Sequence, residues 1–122
     1  MTEQEWAMGV IDSAALDNLR EMIGGDEAFL EELIETFLTD SPKMLADMRQ
    51  SIEDEDAAAL CLAAHSLKSN STEFGAVTLS SLCRDLEKAC KAGSLTGAAE
   101  KVAHIEMEYA RVKAALEELQ SS

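Results

Sequence analysis

The residue best placed for chemistry is His65, one of only two histidines in the chain, which lies in the stretch AAHSLKSNSTEFGA at positions 63–76. No acidic residue lies within seven positions of it on either side, and Lys68 follows three residues later. A neutral imidazole offers a nitrogen lone pair that can act as a nucleophile, a base or a metal ligand. The surrounding elements decide which of these roles is open to His65.

Two enzyme-like roles for His65 have weak support. A metal site on a helix needs a second ligand three or four residues away, and the sequence offers only Cys61 there. A Cys/His nucleophile pair needs a pocket, which one helix face does not provide. His104 is interpreted as a solvated residue of an acidic face, and Cys83 and Cys90 as core residues seven apart on an apolar stripe. We therefore expect no metal ion and no cofactor.

Charge and composition exclude several classes of partner. The chain has 122 residues and a net charge of −14, which argues against binding to nucleic acid or to anionic membranes. The charge is uneven: residues 1–56 carry 16 acids and 3 bases, whereas residues 57–92 carry 3 acids and 4 bases. The sequence shows no signal peptide and no membrane span. Three cysteines without a CxxC motif indicate reduced thiols, so we expect a cytoplasmic protein.

Helix signals recur along the chain, and no stretch alternates over the length of a strand. Helices are predicted over about 13–23, 57–72 and 76–91, with another beginning after Asp26. A further helix should begin at Ser41-Pro42, read as an N-cap and first helical position, and the last should be capped by Ser94. The predicted fold is an all-α, antiparallel up-down four-helix bundle with shorter N-terminal helices packed against it. It should span residues 12–120 after an N-terminal extension over 1–11.

A helical projection places His65 on the surface of its helix. With Leu60 at 0° and about 100° per residue, Ala64, Leu67 and Ser71 fall within about 40° of Leu60 and form the buried face. His65 falls at about 140° in the same projection, away from that face. We therefore expect an exposed histidine beside a lysine, on a face of small side chains.

The run AAHSLKSNSTEFGAVTLSSLCRDLEKACKAG resembles the signature of the histidine-containing phosphotransfer (HPt) domain of bacterial multistep phosphorelays. In that family, alanine and histidine are followed by one residue, leucine and lysine, then small residues, a glycine ten after the histidine, and a leucine-rich helix ending in leucine-glutamate. The matching residues here are Ala64, His65, Leu67, Lys68, Gly75, Leu79, Leu82, Leu86 and Glu87. The upstream segment DEAFLEELIETFLTDSPKMLADM is similar to the preceding helices of the family, so the resemblance covers about residues 12–118.

The resemblance implies that His65 accepts a phosphoryl group from a receiver-domain aspartyl phosphate and passes it to another receiver aspartate. Lys68 would neutralise the phosphoryl oxygens, which carry a charge of about −1.5 to −2 in simple phosphoesters. Glu87 would accept a hydrogen bond from the second ring nitrogen and so fix the orientation of the ring. Ser69 stands where the family usually has glycine, which predicts an altered partner preference without loss of a reacting group.

The implied partners are response-regulator receiver domains and a hybrid sensor kinase. The expected docking residues are Cys61, Ser69, Thr72, Arg84 and Lys88. Arg84, Lys88 and Lys91 share one helix face, whose position relative to His65 the sequence leaves open. The chain would be a phosphocarrier and not an enzyme, since it lacks a GxxxxGK[ST] motif and an acidic cluster around His65. The receiver would then supply the metal ion and the catalytic acids.

Other functions stay open at this point. The bundle could bind receivers or kinases as a scaffold or inhibitor without transferring phosphate, or it could be a structural domain. The presence of both His65 and Lys68 argues against a binding-only module, which has no need of either. We expect a monomer, because one face must remain available to the receiver.

Overall fold

A computed structural model of the chain describes residues 10–121, and within them it contains helices and no strands. The helices, numbered here in chain order, are α1 (Ser13–Met22), α2 (Glu27–Glu53), α3 (Ala57–Glu73), α4 (Val77–Lys91) and α5 (Ala98–Ser121). The predicted all-α class is confirmed. The predicted bounds of α1, α3 and α4 differ from the observed ones by a single residue at an end.

Three aspartates fix the beginnings of the first three helices. Asp12 Oδ1 accepts from the backbone N–H of Ala14 at 3.0 Å. Asp26 Oδ1 accepts from Phe29 at 3.1 Å, and Asp56 Oδ1 accepts from Ala59 at 3.0 Å. Each carboxylate satisfies a backbone donor that has no partner inside its helix.

The predicted break at Ser41-Pro42 is wrong, because α2 continues through Pro42. Proline has no N–H and costs about 3 kcal/mol inside a helix. Tertiary packing on both sides of Pro42 outweighs that cost: Phe37, Ser41 and Met48 are all buried on one face of α2. The ring of Phe37 lies 5.3 Å from that of Phe74, centroid to centroid, and so joins α2 to the end of α3.

The last helix also begins later than predicted. Ser94 does not cap it; its hydroxyl accepts from the N–H of Thr96 at 3.2 Å, inside a turn. Gly93 and Gly97 both have positive φ, at 78° and 73° respectively. Two left-handed residues so close together keep the backbone out of the helical conformation until Ala98.

Helices α2 to α5 form a closed bundle, in which α3 packs on α2 and α4, and α5 packs on α4 and α2. The short helix α1 lies against α3. Val10 and Ile11 are buried in the same hydrophobic core, so the last two residues of the predicted N-terminal extension pack with the bundle. The rest of that extension lies outside the described residues, and the domain boundary stays a prediction.

Gly75 joins α3 to α4 and also holds the N-terminal segment. Its φ is +74°, and its carbonyl accepts from the N–H of Asp12 at 2.7 Å. A Cβ at this position would lie 2.7 Å from the carbonyl oxygen of Asp12 and 2.9 Å from Cβ of Ala15. Both the backbone conformation and the close approach therefore require glycine.

Candidate functional site

The candidate site lies where α3 and α4 run side by side in opposite directions. His65 Nδ1 on α3 is 2.9 Å from Oε2 of Glu87 on α4. About two turns closer to the Gly75 turn, the hydroxyls of Thr72 and Ser80 lie 2.7 Å apart. These two contacts set the register of the helix pair and place the histidine directly across from the carboxylate.

His65 is exposed, and Glu87 is not. The side chain of His65 is 55% accessible, whereas that of Glu87 is only 7% accessible. The helical projection placed His65 correctly on the surface. Glu87 occupies a border position of the apolar stripe of α4, next to the fully buried Leu86. A buried carboxylate needs compensating donors, and this one has three.

Two lysines and the imidazole surround the Glu87 carboxylate. Lys68 Nζ lies 2.7 Å from Oε1, and Lys91 Nζ lies 3.4 Å from Oε2. The hydrogen bond from Lys68 is the largest cause of a lowered pKa of Glu87, about 2, against the opposing effect of burial. Hydrogen bonds from His65 and Lys91 lower the same pKa further. Glu87 is therefore ionised at neutral pH.

An ionised Glu87 determines which nitrogen of His65 carries the proton. A carboxylate only accepts hydrogen bonds, so Nδ1 must be the donor in the 2.9 Å contact. In the neutral ring the lone pair then lies on Nε2. Nε2 has no hydrogen-bond partner among residues 10–121 and belongs to an exposed ring. The site thus presents an oriented, uncommitted nitrogen lone pair.

Lys68 lies where the sequence placed it, one turn along α3 from His65, but it is not a free surface charge. Its side chain is 28% accessible, and its ammonium group is paired with Glu87. Lys91 was expected only as part of a basic face of α4. The sequence carried a signal for its contact with Glu87, since Glu at i and Lys at i+4 meet on a helix surface.

The residues predicted for docking differ in their exposure and in their position relative to His65 and Glu87. Ser69 and Thr72 are exposed on α3, while Cys61 is half-buried and its thiol donates to the carbonyl oxygen of Glu87 at 3.6 Å. On α4, Arg84 is about 60° from Glu87 in a helical projection, and Lys88 is about 100° away. Arg84 therefore lies nearer than Lys88 to the side of α4 that carries Glu87.

The two remaining cysteines belong to the core, as the sequence predicted. Cys83 and Cys90 are buried on α4, and burial is the largest cause of their raised pKa values, about 12 and about 11. Thiols with such pKa values are not nucleophiles at neutral pH. His104 is exposed on α5.

Among residues 10–121, no group of three or more His, Cys, Asp or Glu side chains is arranged to hold a metal ion. In the same range, no helix combines the length and the apolar character needed to cross a membrane.

Comparisons with known proteins bear on the same arrangement. Residues 32–121 match the family described as the Hpt domain. Histidine-containing phosphotransfer protein 2 from Arabidopsis thaliana is 21% identical over 117 residues, which cover 93% of this chain and 75% of that protein. The crystal structure of histidine-containing phosphotransfer protein B from Pseudomonas aeruginosa PAO1 is similar with a TM-score of 0.85 and 30% identity. That match covers 92% of this chain and 95% of the other.

Proposed function

The chain belongs to the Hpt domain family, the phosphocarrier modules of phosphorelays, and from that premise we propose that His65 is its phosphoacceptor. The observation that carries the proposal is the contact between an exposed imidazole and a buried, ionised carboxylate, 2.9 Å apart. The contact commits Nδ1 as a donor and leaves Nε2 for attack.

The proposed reaction is a reversible phosphoryl transfer between nitrogen and oxygen. Nε2 of His65 attacks the phosphorus of a receiver aspartyl phosphate, an N–P bond forms, and the acyl O–P bond breaks. The bonding electrons stay with the aspartate, which leaves as a carboxylate. A second receiver then takes the phosphoryl group by the reverse steps, and His65 returns to the neutral ring.

The roles proposed for the flanking residues follow from their contacts. Glu87 holds the ring of His65 in one orientation and one tautomer, as an acceptor behind a functional histidine does in other sites. Lys68 carries three N–H donors, so one can reach the phosphoryl oxygens on the same face while another stays near Glu87. Stabilisation of charge that develops during transfer is its proposed contribution.

The receiver is proposed to supply the metal ion and acidic groups of the reaction, as the resemblance to the family implies. It would dock on the face formed by α3 and α4 around His65, with Ser69, Thr72 and Arg84 at the contact and Cys61 and Lys88 at its margins. Residues 57–92, which include α3 and α4, are close to neutral, whereas residues 1–56 are strongly acidic. An acidic receiver site is repelled by residues 1–56 and not by residues 57–92.

A two-receiver chase tests the proposal. The chain is incubated with a receiver carrying a radiolabelled aspartyl phosphate, purified, and then mixed with a second, unlabelled receiver. A phosphocarrier takes up acid-labile, base-stable label in the first step and delivers it in the second. A scaffold or inhibitor binds the receiver and takes up no label.

A further inference from the structure

Glu87 has two lysine partners, although its charge requires only one. Lys68 is 28% accessible and lies 2.7 Å from Oε1, whereas Lys91 is 68% accessible and lies 3.4 Å from Oε2. Oε2 is also the oxygen that accepts from His65 Nδ1 at 2.9 Å. Lys91 therefore acts on the carboxylate oxygen that orients the ring.

A carboxylate next to a histidine can lower the fraction of rings that act as nucleophiles. A negative charge at hydrogen-bond distance favours the protonated imidazolium, which has no lone pair for attack. Positive charges on the same carboxylate oppose this effect. Since Lys91 Nζ and His65 Nδ1 contact the same oxygen, the two nitrogens are no farther apart than those two contact distances combined.

We propose that Lys91 is a positioning residue, a second counterion that lets Glu87 orient the His65 ring without protonating it. The inference rests on the proposed function, because only the transfer reaction requires a neutral ring. Lys91 matters most when Lys68 moves from Glu87 to the phosphoryl oxygens. The carboxylate then loses its shorter lysine contact, and Lys91 alone keeps a positive charge on it.

The charged and titratable groups around Glu87 come from α3 and α4. On α3 they are Cys61, His65 and Lys68, and on α4 they are Cys83, Cys90 and Lys91. On α5, Lys101 is close enough to influence Cys90. The two buried thiols have pKa values of about 12 and about 11 and stay neutral over the pH range of interest. Lys68 and Lys91 are the lysines in direct contact with the carboxylate.

The test uses phosphoramidate, a small phosphoryl donor that needs no docking surface. Nε2 attacks its phosphorus, the N–P bond to His65 forms, the P–N bond of the donor breaks, and ammonia leaves. The rate of label uptake is measured from pH 5.5 to pH 8.5 for the wild type and for Lys91→Gln, and the ratio at each pH cancels the titration of the donor itself.

We expect the rate of Lys91→Gln divided by that of the wild type to be near one at pH 8.5 and to fall about threefold towards pH 5.5. Without the positive charge of Lys91, more of the His65 rings are protonated at acidic pH. Lys91→Arg restores the wild-type profile. Lys113→Ala removes a positive charge from an exposed position on α5, and its rate relative to the wild type should not change with pH. A ratio for Lys91→Gln that is flat, or lowered equally at every pH, overturns the proposal, as does an equal fall in Lys113→Ala.

A failed proposed function is distinguishable from a failed inference. If wild type and His65→Gln take up label at the same measurable rate, His65 is not the phosphoacceptor. NMR of the unphosphorylated ring at pH 6 then still decides the role of Lys91. The ring ¹⁵N chemical shifts of His65 move towards those of an imidazolium in Lys91→Gln if Lys91 acts as proposed, and they match the wild type if Lys91 is only a surface charge.

Discussion

His65 Nδ1 and Glu87 Oε2 lie 2.9 Å apart, although the two residues are separated by 22 positions and belong to different helices. The short turn at Gly75 makes this possible, since it lets α4 return along α3 in a fixed register. The exposed partner offers the chemistry and the buried partner fixes its geometry.

The ionised Glu87 should stabilise the fold in a pH-dependent way. Its pKa is about 2 in the folded chain, below the value of 4.5 for the free side chain, so its contribution is complete above about pH 5 and is lost as the pH falls towards 2. Glu87→Gln should lower the free energy of unfolding by about 1–2 kcal/mol at pH 7, because two of the partners are largely exposed. Urea denaturation should show this difference shrinking at pH 2.5. The exposed Glu31→Gln serves as control, and a difference for Glu87→Gln that does not change with pH would contradict the assignment.

Lys68→Ala should slow phosphoryl transfer more than it weakens receiver binding. The lysine is proposed to meet charge on the moving phosphoryl group, and that interaction is strongest during transfer. Single-turnover transfer rates and a binding titration with the unphosphorylated receiver measure the two effects separately. Equal transfer rates in wild type and variant would remove Lys68 from the mechanism.

Gly75→Ala should destabilise the chain by about 2–4 kcal/mol, because the new methyl group adds steric overlap to a left-handed backbone. Gly93→Ala is the matched control: its φ is also positive, but a Cβ there would meet nothing within 4 Å. It should cost only about 1–2 kcal/mol, the price in free energy of the backbone conformation. Thermal or urea denaturation measures both. Equal losses would show that contact with Asp12 and Ala15 is not what requires glycine at position 75.

Sequence periodicity predicted the parts of the fold that depend on local patterns. The start of α2 after Asp26 and the exposed face of α3 followed from residue types and spacing. Pro42 misled the prediction, because Ser41 is polar and its burial between Phe37 and Met48 is a tertiary effect. The true start of α5 depends on the backbone conformation of Gly97, which periodicity does not report.

The candidate site could also be predicted only in part. His65 and Lys68 could be chosen from type and spacing, whereas Glu87 was chosen from resemblance to a family. Its burial could not be predicted, because an acid beside an apolar stripe is usually solvated. The contact of Lys91 with Glu87 is a local i, i+4 pair, and its meaning depends on a histidine brought there by a different helix.

Arg84→Glu should slow association with a receiver about two- to fivefold, because Arg84 belongs to the proposed docking face and exposed charges act mainly on the association rate. Lys113→Glu makes the same change of charge on α5, away from the proposed docking face, and should have a smaller effect. Added salt should shrink the difference between the variants. Stopped-flow association at low and high salt measures this. Receiver-induced chemical shift changes confined to residues 26–53, with residues 61–91 silent, would contradict the docking face.

The central claim is that His65 receives the phosphoryl group, and substitution of the two histidines tests it most directly. Wild type, His65→Gln and His104→Gln are each incubated with a receiver carrying a radiolabelled aspartyl phosphate. The exposed position of His65 predicts that His65→Gln changes the free energy of unfolding by less than about 0.5 kcal/mol. We expect acid-labile, base-stable label in wild type and in His104→Gln, and none in the folded His65→Gln. Label in His65→Gln, or its loss in His104→Gln, would contradict the account.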